Sequence, residues 1–434
     1  MSDDTKYKNY GLGTKAIHAG YDVDPTTMSC AVPIYPTTSY LFRDTDHAAD
    51  LFALKEPGNI YSRLQNPTCD VLEKRLAALD GGAAGLAFAS GMSAITAAVC
   101  TLAKSGQNIV ASQALYGGTV TLFGQTLPRY GVTTKYFDPE TPEAAAKRID
   151  KNTRCIYTET IGNPGNNVAD FEKLAQIAHK AGVPLIVDNT VATPVLCRPL
   201  DFGADIIVYS TTKYIGGHGV HVGGAIVDGG TFDWTQDPDR WSDFTRPDPS
   251  YHGVVFTDAF REQAYIAHAR THWLRDTGAA MSPFAAWIFL LGLETLHLRV
   301  PQHARNALAV AKWLTDHPAV NWVNYPGLEN HRSCARAKKY LPNGAGGIIG
   351  FGVKGGRAAG AKFINSVKLA SHLANICDAK TLVIHPASTT HQQLSEAEQK
   401  AAGVSPDFIR LCVGIEDIED IRADLDQALK ASQE

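Results

Sequence analysis

The sequence predicts an α/β protein: a large, mainly parallel sheet domain, a smaller C-terminal α/β domain and an N-terminal arm. Three observations carry that prediction. Across residues 85–227 short apolar runs alternate with helical stretches, as in parallel sheets covered by helices on both faces. Of 434 residues, 44% are hydrophobic and 19% charged, which supplies a sizeable core and excludes a disordered chain. The rhythm breaks at 228–257 and then resumes with new strand and helix patterns, which marks a second, smaller unit.

In chain order, residues 1–66 read as an arm. They lack strong periodicity, carry turn-formers such as Pro25, Pro33 and Pro36, and need another surface to pack on. Asn66-Pro67 opens a helix, with Asn as cap and Pro in the first turn. Val71, Leu72, Leu76 and Leu79 form its apolar face, and Gly81-Gly82 ends it. Residues 67–265 form the large domain, with strands expected at 85–89, 107–112, 134–137, 154–159, 184–188, 206–210 and 224–227. A helix over 171–180 places Leu174, Ile177 and Ala178 on one face. The stretch 228–257 is rich in Trp234, Pro238, Trp241, Pro247, Pro249 and Tyr251 and reads as a long ordered loop inserted in this domain. Residues 266–434 hold connecting helices to about 316 and the C-terminal domain. Its strands are expected at 347–353, 381–385 and 408–413, and its helices at 358–367 and 418–431.

Composition narrows the function. Forty Lys and Arg stand against forty-four Asp and Glu, a net charge of −4 without a block of one sign, so no nucleic-acid partner is expected. The longest apolar stretch, 284–293, is far shorter than the ~20 residues of a membrane helix. The first fifteen residues are mostly polar and do not resemble a signal peptide. Eight cysteines are scattered, with no Cys-x-x-Cys. Free thiols in a reducing compartment follow, and a cytoplasmic enzyme is the expectation.

Three strand ends carry the chemistry. The strand 85–89 runs into Ser90-Gly91-Met92-Ser93 at the start of a helix, where free amides and the helix dipole favour a phosphate. The strand 184–188 ends in Asp188-Asn189-Thr190, an acid at a carboxyl edge fit for a cationic group. The strand 206–210 leads into Thr211-Thr212-Lys213 and then Tyr214-Ile215-Gly216-Gly217-His218-Gly219. A lysine beside hydroxyls, with glycines that let the backbone come close, suits a Schiff-base amine next to a phosphate. Singly, each has an ordinary explanation as a turn, a cap or an exposed lysine. Together they match what pyridoxal phosphate requires: an amine for its aldehyde, a phosphate site, and an acid that keeps the pyridine nitrogen protonated.

The segments Tyr61-Ser62-Arg63-Leu64-Gln65-Asn66-Pro67-Thr68, Ser90-Gly91-Met92, Val187-Asp188-Asn189-Thr190 and Ser210-Thr211-Thr212-Lys213 occur in one order and spacing. In these the chain resembles the cysteine and methionine metabolism family of fold-type-I pyridoxal-phosphate enzymes, from about Thr14 to its end. The resemblance implies that Lys213 carries the cofactor and shuttles protons, and that Asp188 pairs with the pyridinium nitrogen. Tyr116 would stack on the ring and assist proton transfer or departure of the leaving group. Gly91, Met92, Ser210 and Thr212 would hold the phosphate, joined by Tyr61 and Arg63 of a neighbouring subunit. Arg410 would clamp the substrate carboxylate, with Asn163 nearby. The family further implies a homo-oligomer, a tetramer built as a dimer of dimers.

Within the family, three features point to the branch that sulfhydrylates O-acetylhomoserine. The chain is long, with the surplus at 228–257. Gly216-Gly217-His218-Gly219-Val220 lacks the Ser-Asp that often follows Gly-Gly-His in lyases and other synthases. Asp378-Ala379-Lys380-Thr381-Leu382-Val383-Ile384-His385-Pro386-Ala387-Ser388-Thr389-Thr390-His391 looks like that branch. His221 and Val191 depart from its pattern and bear on substrate preference. The implied reaction is γ-replacement, with sulfide displacing acetate to give homocysteine; the choice of sulfide, methanethiol or cysteine as nucleophile stays open at this point. A cystathionine γ-synthase, a methionine γ-lyase and an O-succinylhomoserine sulfhydrylase are the alternatives.

Two other motifs are set aside on mechanical grounds. Gly350-Phe351-Gly352-Val353-Lys354-Gly355 fits a dinucleotide fingerprint in letters, but its first two glycines lie within an apolar run and form no turn after it. His218-x-x-His221 lacks the acid of a zinc-protease helix and sits among glycines, so no metal is expected.

Overall fold

The computed structural model describes residues 6–389 and 405–434. Seven strands form the large sheet: β1 (Ala84–Phe88), β2 (Asn108–Ser112), β3 (Thr133–Phe137), β4 (Thr153–Glu159), β5 (Leu185–Asp188), β6 (Ile206–Tyr209) and β7 (Gly224–Asp228). Every strand expected in this stretch is present, displaced by at most one residue at either end. Their spatial order is β1-β7-β6-β5-β4-β2-β3. Only β7 runs against its neighbours; the contacts among β2, β3, β4, β5 and β6 are parallel. β2, β4, β5 and β6 are buried along their whole length, as strands covered on both faces are, whereas the edge strand β3 is mostly half-buried. Because the other six strands point the same way, their carboxyl ends gather along one edge.

The helix Pro67–Asp80 forms as its sequence requires. The Asn66 side chain accepts the Thr68 N–H, and Gly81 ends the helix in the left-handed region at φ 80°. The helix Phe171–Lys180 starts on Asp170, whose carboxylate accepts the Lys173 N–H. The stretch 228–257 is ordered around buried Trp234, Trp241 and Phe244. Trp234 stacks on Phe244 at 4.4 Å and on Tyr265 at 5.9 Å.

The smaller sheet comprises β8 (Val320–Asn324), β9 (Ile348–Val353), β10 (Ser371–His372), β11 (Leu382–Ile384) and β12 (Phe408–Cys412), in the order β10-β11-β12-β9-β8. All of its pairings except β10 with β11 are antiparallel. Two of its strands escape the sequence pattern for physical reasons: β8 is a half-buried edge interrupted by asparagines, and β10 is two residues long. Gly350 and Gly352 lie inside β9 and pair on both sides, with β12 and β8, so they form no phosphate turn.

The arm is more structured than its sequence predicts. It contains the helices Leu12–His18 and Thr45–Phe52, each about two turns long and too short to display a period. The first is tied to its own chain: Ala16 and Ala19 are buried, and the Ala19 carbonyl accepts from Arg75 Nε at 2.9 Å. Among the described residues no single helix is long and apolar enough to cross a membrane. Thr390 and His391 of the branch-like segment fall outside the described residues.

Candidate active site

The carboxyl edge of the large sheet brings together the residues singled out above. After β1, Ser90 caps the helix Gly91–Cys100 by accepting the Ser93 N–H at 3.1 Å. The amides of Gly91 and Met92 stand at the helix start, outside its own ladder. Gly91 must be glycine for lack of room, since a methyl group there would lie 2.7 Å from the Ser210 Cβ. That contact joins the helix start to the end of β6 and forms a cup that an anion fits. The Ser210 N–H is held by Thr190 Oγ1 at 2.8 Å, while its hydroxyl has no partner among the described residues.

Thr212 meets the segment that leads into β7. Its hydroxyl donates to the Gly223 carbonyl at 3.1 Å and accepts the Gly223 N–H at 2.9 Å. It therefore fastens the loop after Lys213 to the start of β7, and its proton is already committed.

Asp188 ends β5 with 8% of its surface exposed. It accepts the Thr190 N–H at 3.0 Å and lies 3.4 Å from the Tyr157 hydroxyl. Burial raises its carboxyl above the usual range, a cost that an adjacent cation would relieve. The Lys213 amine is pushed down, chiefly by burial and further by Arg410. Its Nζ donates to Asn375 Oδ1 at 2.5 Å. Asn375 also accepts from Arg410 Nη2 through its main-chain oxygen at 3.3 Å. Sequence reasoning missed Asn375, which lies in an irregular loop before β11 and bears no motif.

Arg410 lies on β12 between its neighbours β9 and β11. It makes no ion pair among the described residues, and its buried Nε has no partner. A guanidinium so placed is a vacant fork for a carboxylate. Asn163 is buried, with an unpartnered Oδ1, at a cis bond to Pro164. Tyr116 is half-exposed at the start of the helix Gly117–Thr121, and its N–H donates to Glu159 Oε1 at 2.6 Å. Tyr61 and Arg63 are held apart from this cluster: Arg63 Nη1 donates to the Arg275 carbonyl, and its guanidinium lies 5.5 Å from the Tyr61 ring centroid.

The donor set fits pyridoxal phosphate. Helix-start amides and a free serine hydroxyl suit the phosphate, a depressed amine suits the aldehyde, and a buried acid in need of a cation suits the ring nitrogen. Metal ligation fits less well. His218 and His221 each turn a ring nitrogen to a backbone carbonyl. Asp248, His268 and His272 bring ligand atoms within 4.8 Å of one another. The two imidazoles, however, stack at 4.2 Å with planes 10° apart, and one ion cannot lie in two parallel ring planes.

Fold and site together define a fold-type-I, pyridoxal-phosphate-dependent enzyme. Residues 13–430 match the family described as Cys/Met metabolism PLP-dependent enzyme, and the chain belongs to that family. It is 56% identical over 420 residues to the homocysteine synthase of Schizosaccharomyces pombe, covering 96% of this chain and 98% of that one. It is 53% identical over 418 residues to O-acetyl-L-homoserine sulfhydrylase 1 of Thermus thermophilus, covering 96% and 99%. A crystal structure from Campylobacter jejuni, named as an O-acetylhomoserine (thiol)-lyase and carrying a pyridoxyl-lysine phosphate, superposes with a TM-score of 0.94. It is 43% identical, over 97% of this chain and all of that one.

Proposed function

We propose that the protein catalyses γ-replacement on O-acetylhomoserine, with sulfide as nucleophile, giving homocysteine and acetate. The observation that carries this reading is the Lys213–Asn375–Arg410 chain, which sets a depressed amine beside a guanidinium that makes no ion pair among the described residues. An α-amino acid fits there with its carboxylate on Arg410 and its Cα near Lys213. The names of the relatives, homocysteine synthase and O-acetyl-L-homoserine sulfhydrylase, support the ester and the thiol.

Joined to Lys213 through its aldehyde, pyridoxal phosphate supplies an electron sink for charge released at the substrate Cα. Gly91 and Met92 amides and the Ser210 hydroxyl bind its phosphate, and Asp188 favours the protonated ring nitrogen. Thr212 acts on this site by holding the Lys213 loop to Gly223. Arg410 orients the substrate, with Asn163 beside the same carboxylate. The freed Lys213 amine would take the Cα proton, pass it on to the bound cofactor and, neutral again, take a proton from Cβ. Tyr116 covers the ring and assists departure of acetate from Cγ. Sulfide forms the new C–S bond at Cγ as the protons return.

Tyr61 and Arg63 complete the phosphate site of a second subunit in this reading, within a tetramer made of two such dimers. Eight free cysteines support a cytoplasmic location. The test is a panel of O-acetylhomoserine, O-succinylhomoserine and methionine, each with and without sulfide. Rapid homocysteine formation from the acetyl ester plus sulfide alone is the expected result; ketobutyrate from methionine overturns it in favour of a γ-lyase.

A further inference from the structure

Glu159 has none of the roles assigned above, and its surroundings are unusual for an acid. It ends β4 in parallel register with Asp188 at the end of β5, and only 5% of it is exposed. Among the described residues no cation acts on it; the charged neighbour is Asp188, and the Tyr157 phenol faces both. Oε1 accepts the Tyr116 N–H at 2.6 Å, and the carboxyl also accepts the Asn163 N–H. Tyr116 occupies the cap position of its helix, where no side-chain cap is made, so its amide is anchored by Glu159. Asn163 belongs to a different loop, the one after β4. One carboxyl thus ties together the loops that carry the ring-covering phenol and the candidate carboxylate contact.

Burial and Asp188 push the Glu159 carboxyl well above its usual range. Two adjacent carboxyls in a dry site do not both ionise readily. A proton kept on Glu159 leaves Asp188 as the ionised member, and the neutral carboxyl still accepts both amides through oxygen.

We infer that Glu159 is a positioning residue, which acts through Tyr116 and Asn163 by holding their amides and so fixes the Tyr116 phenol over the cofactor. The inference rests on the pyridoxal-phosphate site and on Tyr116 as part of it.

The test compares holoenzyme carrying Glu159→Ala, Glu159→Gln, Tyr116→Ala and the Glu159→Ala/Tyr116→Ala pair. Two readouts are taken: visible circular dichroism of the bound cofactor without substrate, and kcat and KM with it. Glu159→Ala is expected to retain borohydride-reducible cofactor, to alter its dichroism and to lower kcat by up to about 100-fold, as misplacement of a reacting group does. Glu159→Gln keeps the acceptor oxygen and should return kcat to within about threefold of the parent. The pair should be no slower than Tyr116→Ala by more than about threefold, because one residue acts through the other.

Parental dichroism and kcat in Glu159→Ala overturn the inference, as does full additivity in the pair. Should the alanine variant not fold, Glu159→Gln decides: parental dichroism and kcat support it, and a tenfold loss in a folded protein overturns it. The dichroism needs no substrate, so an error in the substrate assignment leaves this readout intact.

Discussion

Lys213 Nζ lies 2.5 Å from the side-chain oxygen of Asn375. The partner of the reactive amine is thus neutral, and burial is free to lower the affinity of that amine for protons. An acid in the same place would reverse this. Asn375→Asp should raise the pH at which pyridoxal phosphate attaches to the apoenzyme by about one unit or more. The measurement is imine absorbance against pH. An unchanged midpoint would show that Asn375 does not govern the amine.

Arg410 should prove specific to substrate, because its guanidinium meets no carboxylate among the described residues. Arg410→Lys keeps the charge and loses the planar fork. We expect kcat/KM to fall by about 30- to 1,000-fold, equivalent to ~2–4 kcal/mol, with cofactor absorbance unchanged. A loss of cofactor equal to the loss of activity would place Arg410 in the framework instead.

The large sheet was legible because its strands are short, bounded by turn-formers and, apart from the edge strand β3, almost wholly buried, so apolar runs mark most of them. Asp188 was legible because it ends such a run, and the helix-start cup and Lys213 because they follow one within a few residues. Asn375 was not, since it acts from a loop whose position is set by β11 and β12 pairing far along the chain. Nor was Glu159, whose meaning depends on the register of β4 against β5. The contact of Thr212 with Gly223 was not legible either, since it depends on the return of the chain into β7.

A buried network beneath the site links stability to pH. Tyr209 donates to Asp80 at 2.7 Å and receives Asn189 Nδ2 at 3.0 Å, next to Asp188 in the chain. Burial raises the Asp80 carboxyl to about 7, against about 3.9 in an unfolded chain. The folded protein therefore holds a proton that the unfolded chain releases between these values. The stabilisation is full below about pH 4 and is lost as pH rises towards 7. Asp80→Asn keeps an acceptor for Tyr209 and cannot ionise. Its stability relative to the parent should increase from pH 5 to pH 8, with ~3 kcal/mol as a ceiling. A difference in Tm that stays level across that range removes Asp80 as the titrating group.

The separation of Arg63 from the Lys213 cluster gives the last prediction its form. Within one chain Arg63 reaches the Arg275 carbonyl, and no described contact links it to Ser210, Gly91 or Lys213. If it serves the phosphate of a neighbouring subunit, defects in Arg63 and Lys213 must complement. Lys213→Ala alone should show no turnover and no borohydride-fixed pyridoxyl group on the peptide spanning 210–216. Arg63→Ala alone should release cofactor readily. When the two are co-expressed and assemble at random, half of the dimers are hybrids, and each hybrid holds one site with both residues intact. Activity should then return to about 25% of the parent. Separately purified variants, mixed without subunit exchange, should stay near zero. Failure of the co-expressed pair to regain activity, with hybrids demonstrated by differential tagging, would mean that each chain completes its own phosphate site.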